Sequence, residues 1–140
     1  MSSIWSAIDI SGTGTSVDQT WLDTIGSNVA NMNDAVTPGK PVYQAQYVVA
    51  GERVVPGPAG SPEIAEGVQV NAIDLGPAAG ETIHDPSNPL ANSRGDVTYP
   101  VVNLGTEMTD LAQAQMSYQA NAEVMSHAKS AYTSILNIKA

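Results

Sequence analysis

The sequence predicts a mainly α protein: long N- and C-terminal helices pair as a coiled-coil-like hairpin, with a small irregular β-hairpin/loop insert in the middle. Three observations carry this. All nine prolines lie between Pro38 and Pro100, so both ends of the chain are free of the strongest helix breaker. The C-terminal arm follows alternating four- and three-residue steps without a slip, its apolar or small seam interrupted only by Gln115 and Lys129, and the N-terminal arm does so in part. The organisation that follows is an N-terminal helix over 1–36, a Pro/Gly-rich insert over 37–100 and a C-terminal helix over 101–140, the two helices forming one domain.

In the N-terminal arm Leu22, Ile25, Val29 and Met32 share one helical stripe. Extended backwards, it passes through Asp18, Thr15 and Ser11 to Ile8 and Ile4. Gly12 and Gly14 each cost about 1 kcal/mol against Ala inside a helix, and they sit among β-branched threonines, so a kink, a break or late ordering is expected there. The helix is expected to stop near Asn31–Asp34, because Asn tolerates the left-handed turn that closes helices and Thr37-Pro38-Gly39 follows. In the middle, Val42–Val49 puts Tyr43, Ala45, Tyr47 and Val49 on one strand face, and Gly67–Ile73 alternates Val68, Val70 and Ala72 with polar residues. Val55–Pro62 can only join them as a loop, and a second loop-like stretch runs from Gly76 to Pro100. In the C-terminal arm Leu104, Met108, Leu111, Gln115, Tyr118, Ala122, Met125, Lys129, Tyr132 and Leu136 form a seam about 50 Å long at 1.5 Å per residue. It is narrower than the face of a globular-domain helix and calls for another helix beside it.

Composition removes whole classes of function. The 140 residues carry 5 Lys and Arg against 14 Asp and Glu, a net charge of −9, so nucleic acid and anionic lipid are repelled. The absence of cysteine removes disulfides, thiolate metal sites and thiol catalysis together. No run approaches the roughly 20 apolar residues of a membrane helix, and Met1–Ala7 builds no signal-peptide core. Direct membrane insertion is therefore not expected, and any export uses no cleaved signal.

Chemistry-bearing patterns are sparse. His84 and His127 have no second ligand at metal spacing. Gly12-Thr13-Gly14-Thr15-Ser16 lacks the lysine of a phosphate loop. Glu63 with Glu66, or Asp85 with Asp96, reads as solvated loop carboxylates rather than an acid–base pair, and Arg94-Gly95-Asp96 reads as turn chemistry. No catalytic, cofactor or metal site is expected. Trp5 and Trp21 suit either an internal helix contact or a partner surface. The polar patterns at the inner ends of the arms say more. Asn28 and Asn31 lie side by side within Ser27-Asn28-Val29-Ala30-Asn31, and Tyr118-Gln119-Ala120-Asn121 sets amides at mid-helix, where Asn is a poor helix former. Amides penalise every register in which they go unpaired, which suits helix-to-helix lattices.

Those residues carry a resemblance. Ser27-Asn28-Val29-Ala30-Asn31 resembles the N-terminal signature of the bacterial flagellar axial proteins. Asn88-Pro89-Leu90-Ala91, Gly95, Pro100, Glu107-Met108 and Ser117-Tyr118-Gln119-Ala120-Asn121 with Ala128-Lys129 resemble, more narrowly, the FlgC family of basal-body rod proteins, across nearly the whole chain. Met116, where the family usually has Arg, and Asp96, where Gly-Tyr-Val is common, depart from the pattern. The resemblance implies a non-enzymatic structural subunit of the proximal rod. Such a subunit polymerises through its terminal helices, transmits torque and lines the export channel in the periplasm. It implies copies of itself, other rod proteins (FlgB, FlgF and a FliE-type adaptor) and the flagellar type III export apparatus as partners; another rod or hook-associated subunit is the alternative. The residues expected at subunit contacts are Leu22, Ile25, Ser27, Asn28, Val29, Ala30 and Asn31 in the first arm. In the second they are Leu111, Tyr118, Gln119, Asn121, Met125, Tyr132 and Leu136.

Overall fold

The computed structural model describes residues 2–57 and 64–138; the loop expected over Val55–Pro62, and Glu63 after it, lie partly or wholly outside the described residues. Helix α1 spans Ser2–Asn31 and helix α2 Leu104–Ile138. Between them β1 (Gln46–Val55) pairs antiparallel with β2 (Ile64–Leu75), and β3 (Glu81–His84) with β4 (Asp96–Tyr99). The expectation of a mainly α chain is therefore corrected. Of the described residues about 49% are helical and 24% lie in strands, in two separate sheets, which makes the class α+β.

The second sheet lies where only loop was expected. Its ladder sets Thr82 against Thr98 and Ile83 against Val97, too few positions to show alternation, while Pro86, Pro89 and Gly95 occupy the connection between its strands. Gly95 has φ 82°, a left-handed turn that favours glycine. Thr98 also exchanges both backbone hydrogen bonds with Val36, each 2.9 Å, which ties this sheet to the chain leaving α1. The β1–β2 ribbon starts four residues later than its sequence pattern. Val42 and Ala45 are buried, the Ala45 carbonyl accepts from Gly76 N at 2.7 Å, and Gln44 Nε2 donates to Gly76 O at 2.7 Å. Residues 42–45 therefore close the base of the ribbon instead of extending it.

Helix α1 runs unbroken through Gly12 and Gly14, against the expected kink. The hydroxyls of Thr13, Thr15, Thr20 and Thr24 bond back to carbonyls three or four residues earlier, at 2.7–3.0 Å, and so fit the helix. Gly14 is demanded by packing: a Cβ there would lie 2.7 Å from Asn121 Nδ2. The helix ends at Asn31 with Asp34 N donating to Asn31 O at 3.0 Å, and no described non-glycine residue takes a left-handed conformation, so the expected Asn closure is replaced by a plain turn.

The helices pack antiparallel. Trp5 meets Tyr132 edge to face at 5.2 Å, Asp18 meets Asn121, and Asn28 meets Glu107. Their contact line is displaced from the expected seams by one residue at every second position. On α1 the covered row holds Gly14 and Asn28 rather than Thr15 and Val29; on α2 it holds Glu107, Ala114 and Asn121 rather than Met108, Gln115 and Ala122. Small and polar side chains form the seam because Gly14 and Ala114 admit a close approach and the polar ones satisfy each other. The larger apolar residues are turned outward: Met108 is 48% and Leu136 52% exposed. Among the described residues the buried apolar side chains are only Ile25, Val42, Ala45, Val97 and Ala114.

Candidate functional site

The most constrained group in the molecule is the Asn28 side chain, 1% exposed. It sits one turn before the end of α1, against the first turn of α2 and the start of β1. Nδ2 donates to Gln46 O at 2.9 Å and to Glu107 Oε1 at 3.1 Å. Oδ1 accepts from Gln46 N at 2.8 Å and from the Tyr43 hydroxyl at 2.9 Å. An asparagine side chain has two donors and two acceptor sites, so its capacity is filled. Since the Tyr43 proton goes to Asn28, the 3.1 Å contact between Tyr43 and Ser27 makes Ser27 Oγ the donor. Asn31 Nδ2 returns to Ser27 O at 2.8 Å. The Ser27-Asn28-Val29-Ala30-Asn31 motif is thus a clamp that fixes helix, ribbon and returning helix relative to one another.

Glu107 is the clamp's opposite jaw, 3% exposed. It lies in the first turn of α2, where the Asn103 side chain caps the helix by accepting from Thr106 N at 3.2 Å and Glu107 N donates to Asn103 O at 3.0 Å. Burial pushes its carboxyl above the ordinary glutamate value of 4.5; the Asn28 hydrogen bond opposes the shift and Asp110 adds to it.

Halfway along the pair, Asn121 Nδ2 donates to Asp18 Oδ2 at 2.8 Å directly above Gly14. The residues expected at contacts between subunits therefore fall into three groups. Ser27, Asn28, Asn31 and Asn121 use their polar groups inside the chain, and Ile25 is buried there. Leu22, Val29, Leu111, Met125 and Tyr132 are half-buried along the hairpin. Ala30, Tyr118, Gln119 and Leu136 face outward. The partner roles of Asp18, Tyr43, Gln46 and Glu107 escaped sequence reading; only Asp18, a carboxylate on the extended apolar stripe, gave a hint. Among the described residues no group of three or more His, Cys, Asp or Glu side chains could hold a metal ion. His84 Nδ1 instead meets Asp96 at 3.2 Å on the surface, beside Arg94 at 3.4 Å from the same carboxylate.

Comparison with known proteins fits this arrangement. A family model described as the flagellar basal-body rod FlgEFG protein C-terminal region matches residues 99–138, which is α2 with its capping segment. The chain is 34% identical to the flagellar basal-body rod protein FlgC of Yersinia enterocolitica over 128 residues, 91% of this chain and 92% of that one. It is 33% identical to the protein of the same name from Escherichia coli O157:H7 over 87% of each chain. With that of Borreliella burgdorferi it shares 32% identity, over 96% of this chain and 97% of the other.

Proposed function

From the premise that this chain belongs to the FlgC family of flagellar basal-body rod proteins, we propose that it polymerises through its terminal helices into the proximal rod, where it transmits torque and lines the export channel. The chain is a structural subunit of the basal-body rod, and no catalytic family is indicated for it. One observation carries the reading. The chain exposes 9039 Å², whereas a compact monomer of 14.5 kDa exposes about 6,900 Å² by the usual size scaling. The excess is larger than a standard protein–protein interface of about 1,600 Å² in total. A molecule shaped this way completes its burial against neighbours.

The same reading makes other rod proteins of the FlgB and FlgF kind and a FliE-type adaptor its neighbours in the periplasm, and the flagellar type III apparatus its exporter. The small apolar core and the lack of cysteine support passage as an unfolded chain, since little must be undone before transit. Ala30, Tyr118, Gln119 and Leu136 are the expected contact residues that face neighbours directly. Asn28, Asn31 and Asn121 act on assembly by fixing the register of the hairpin. The test is deletion and complementation: basal bodies isolated without the gene should lack a complete rod, and the wild-type gene should restore it. Rods of normal length in the deletion strain would refute the reading.

A further inference from the structure

An open groove of about 710 Å³ runs along the N-terminal half of α1, walled on one side by the far end of the β1–β2 ribbon. Its floor includes Ile10 and Gly12, and Ile64 adds to the wall. Nothing lies within 4 Å of where a Gly12 Cβ would stand, so the chain's own packing does not call for glycine there, in contrast to Gly14. Three charged residues line the groove, Asp9, Glu66 and Arg53, one negative in balance. On α2 Met108, Gln115, Lys129 and Leu136 are exposed in one seven-residue-spaced row, with Ala122 half-buried among them. In a chain of net charge −9, this stripe has no carboxylate, and its single charge, Lys129, makes no ion pair with a described residue.

We propose that the groove along α1 receives the C-terminal half of this α2 stripe from a second copy of the chain, head to tail, with Lys129 of one copy against Asp9 and Glu66 of the next. The inference rests on the rod-subunit reading above and adds which surfaces meet. The dimensions agree: the groove follows residues 6–16, about 15 Å of helix, and Ala122 to Leu136 spans about 21 Å. Groove and stripe are different faces of one chain, so the contact is heterologous and repeats rather than closing into a pair. A contact of this length buries less than the roughly 1,000 Å² of a stable isolated interface. It therefore holds only when repeated within an array.

The absence of native cysteine gives a clean test in assembled rods. Strains co-expressing the Asp9→Cys and Lys129→Cys variants as separate chains, mildly oxidised, should yield a disulfide-linked pair of chains; either variant expressed alone should yield none. Independently, Lys129→Glu or Asp9→Lys should each reduce the number of complete rods several-fold, and the two charge changes combined in one chain should restore most of it. Wild-type rods that assemble while the mixed cross-link is absent, or single-variant defects that the combination fails to repair, would overturn the contact. Those outcomes leave the rod assignment standing, which falls only if the wild-type chain is missing from rods altogether.

Discussion

Truncating Asn28 to alanine removes the partner of three groups at once: the buried Glu107 carboxylate and the half-buried Gln46 N–H and carbonyl. The Tyr43 hydroxyl can turn to Ser27, 3.1 Å away, and so costs little. Each unsatisfied buried group costs about 1–3 kcal/mol, and water entering the space left by the amide recovers part of it. A loss of about 3 kcal/mol is expected, or a fall of roughly 10 °C in Tm for a chain of this size. The assay is urea unfolding of the purified chain followed by far-UV circular dichroism, with hydrogen exchange at the Gln46 amide as the local reading. Asn28→Asp separates hydrogen bonding from volume. It keeps the acceptor for Gln46 N and Tyr43 but sets a second carboxylate against Glu107. Two carboxylates so placed cannot both ionise without cost, so this variant should be as weak as alanine at pH 7 and regain stability as the pH falls toward about 4, the ordinary carboxylate range. An alanine variant within about 0.5 kcal/mol of the parent, the range of an ordinary surface change, with Gln46 still protected, would show that the clamp carries no stability.

The remaining predictions concern the same helix pair. Glu107 holds its proton to higher pH in the folded chain than in the unfolded one, so stability should fall as pH rises from 4.5 through the raised value. Glu107→Gln keeps an oxygen for Asn28 and removes that slope, so it should unfold at higher urea than the parent at pH 7; an unchanged pH profile would argue against a shifted Glu107. The two glycines of α1 should respond oppositely: Gly12→Ala should raise Tm by the helix-propensity gain of about 1 kcal/mol, while Gly14→Ala should lower it, because its Cβ meets Asn121 at 2.7 Å. Equal effects from both would refute the packing account of Gly14. Ile135, Leu136 and Ile138 stand largely exposed in the last turns of α2, so amides at 133–138 should exchange fast in the free subunit and slowly in isolated rods.

The two long helices were legible because proline placement and four-three spacing are local signals. Their mutual register was not, and the reason is instructive. The expected seams took the most apolar row on each helix, whereas the helices meet along rows that hold Gly14 and Asn28 on one side and Glu107, Ala114 and Asn121 on the other. Apolar periodicity marks rows fit for burial and does not say which of them the chain itself covers. Asn28 and Asn121 were expected at contacts between subunits; inside the chain they pair with Gln46 and Asp18, 18 and 103 residues away, beyond any local pattern. The β3–β4 sheet was missed because four-residue strands beside Pro86, Pro89 and Gly95 look like the loops that connect them.

On the proposed reading, the division of labour between the two rows bears on how a subunit could be both exported unfolded and stiff once assembled. A hairpin held by polar pairs has a defined register but little stability, since each hydrogen bond nets only about 1 kcal/mol against water. It can be opened without prying apart a large apolar core. The outward apolar rows, by contrast, yield their stabilisation of about 25 cal/mol per Å² only when a neighbour removes them from water. Exchanging the two rows would separate these roles in a measurable way. A chain with Asn121→Leu and Asp18→Leu together should fold more stably as a free subunit, because an apolar pair replaces a buried polar one. The same chain should assemble less faithfully, because Leu tolerates registers in which Asn121 would go unpaired. Rods of normal number and length built from this variant, with the expected gain in free-subunit stability, would show that the polar seam sets no register and that the outward rows alone direct assembly.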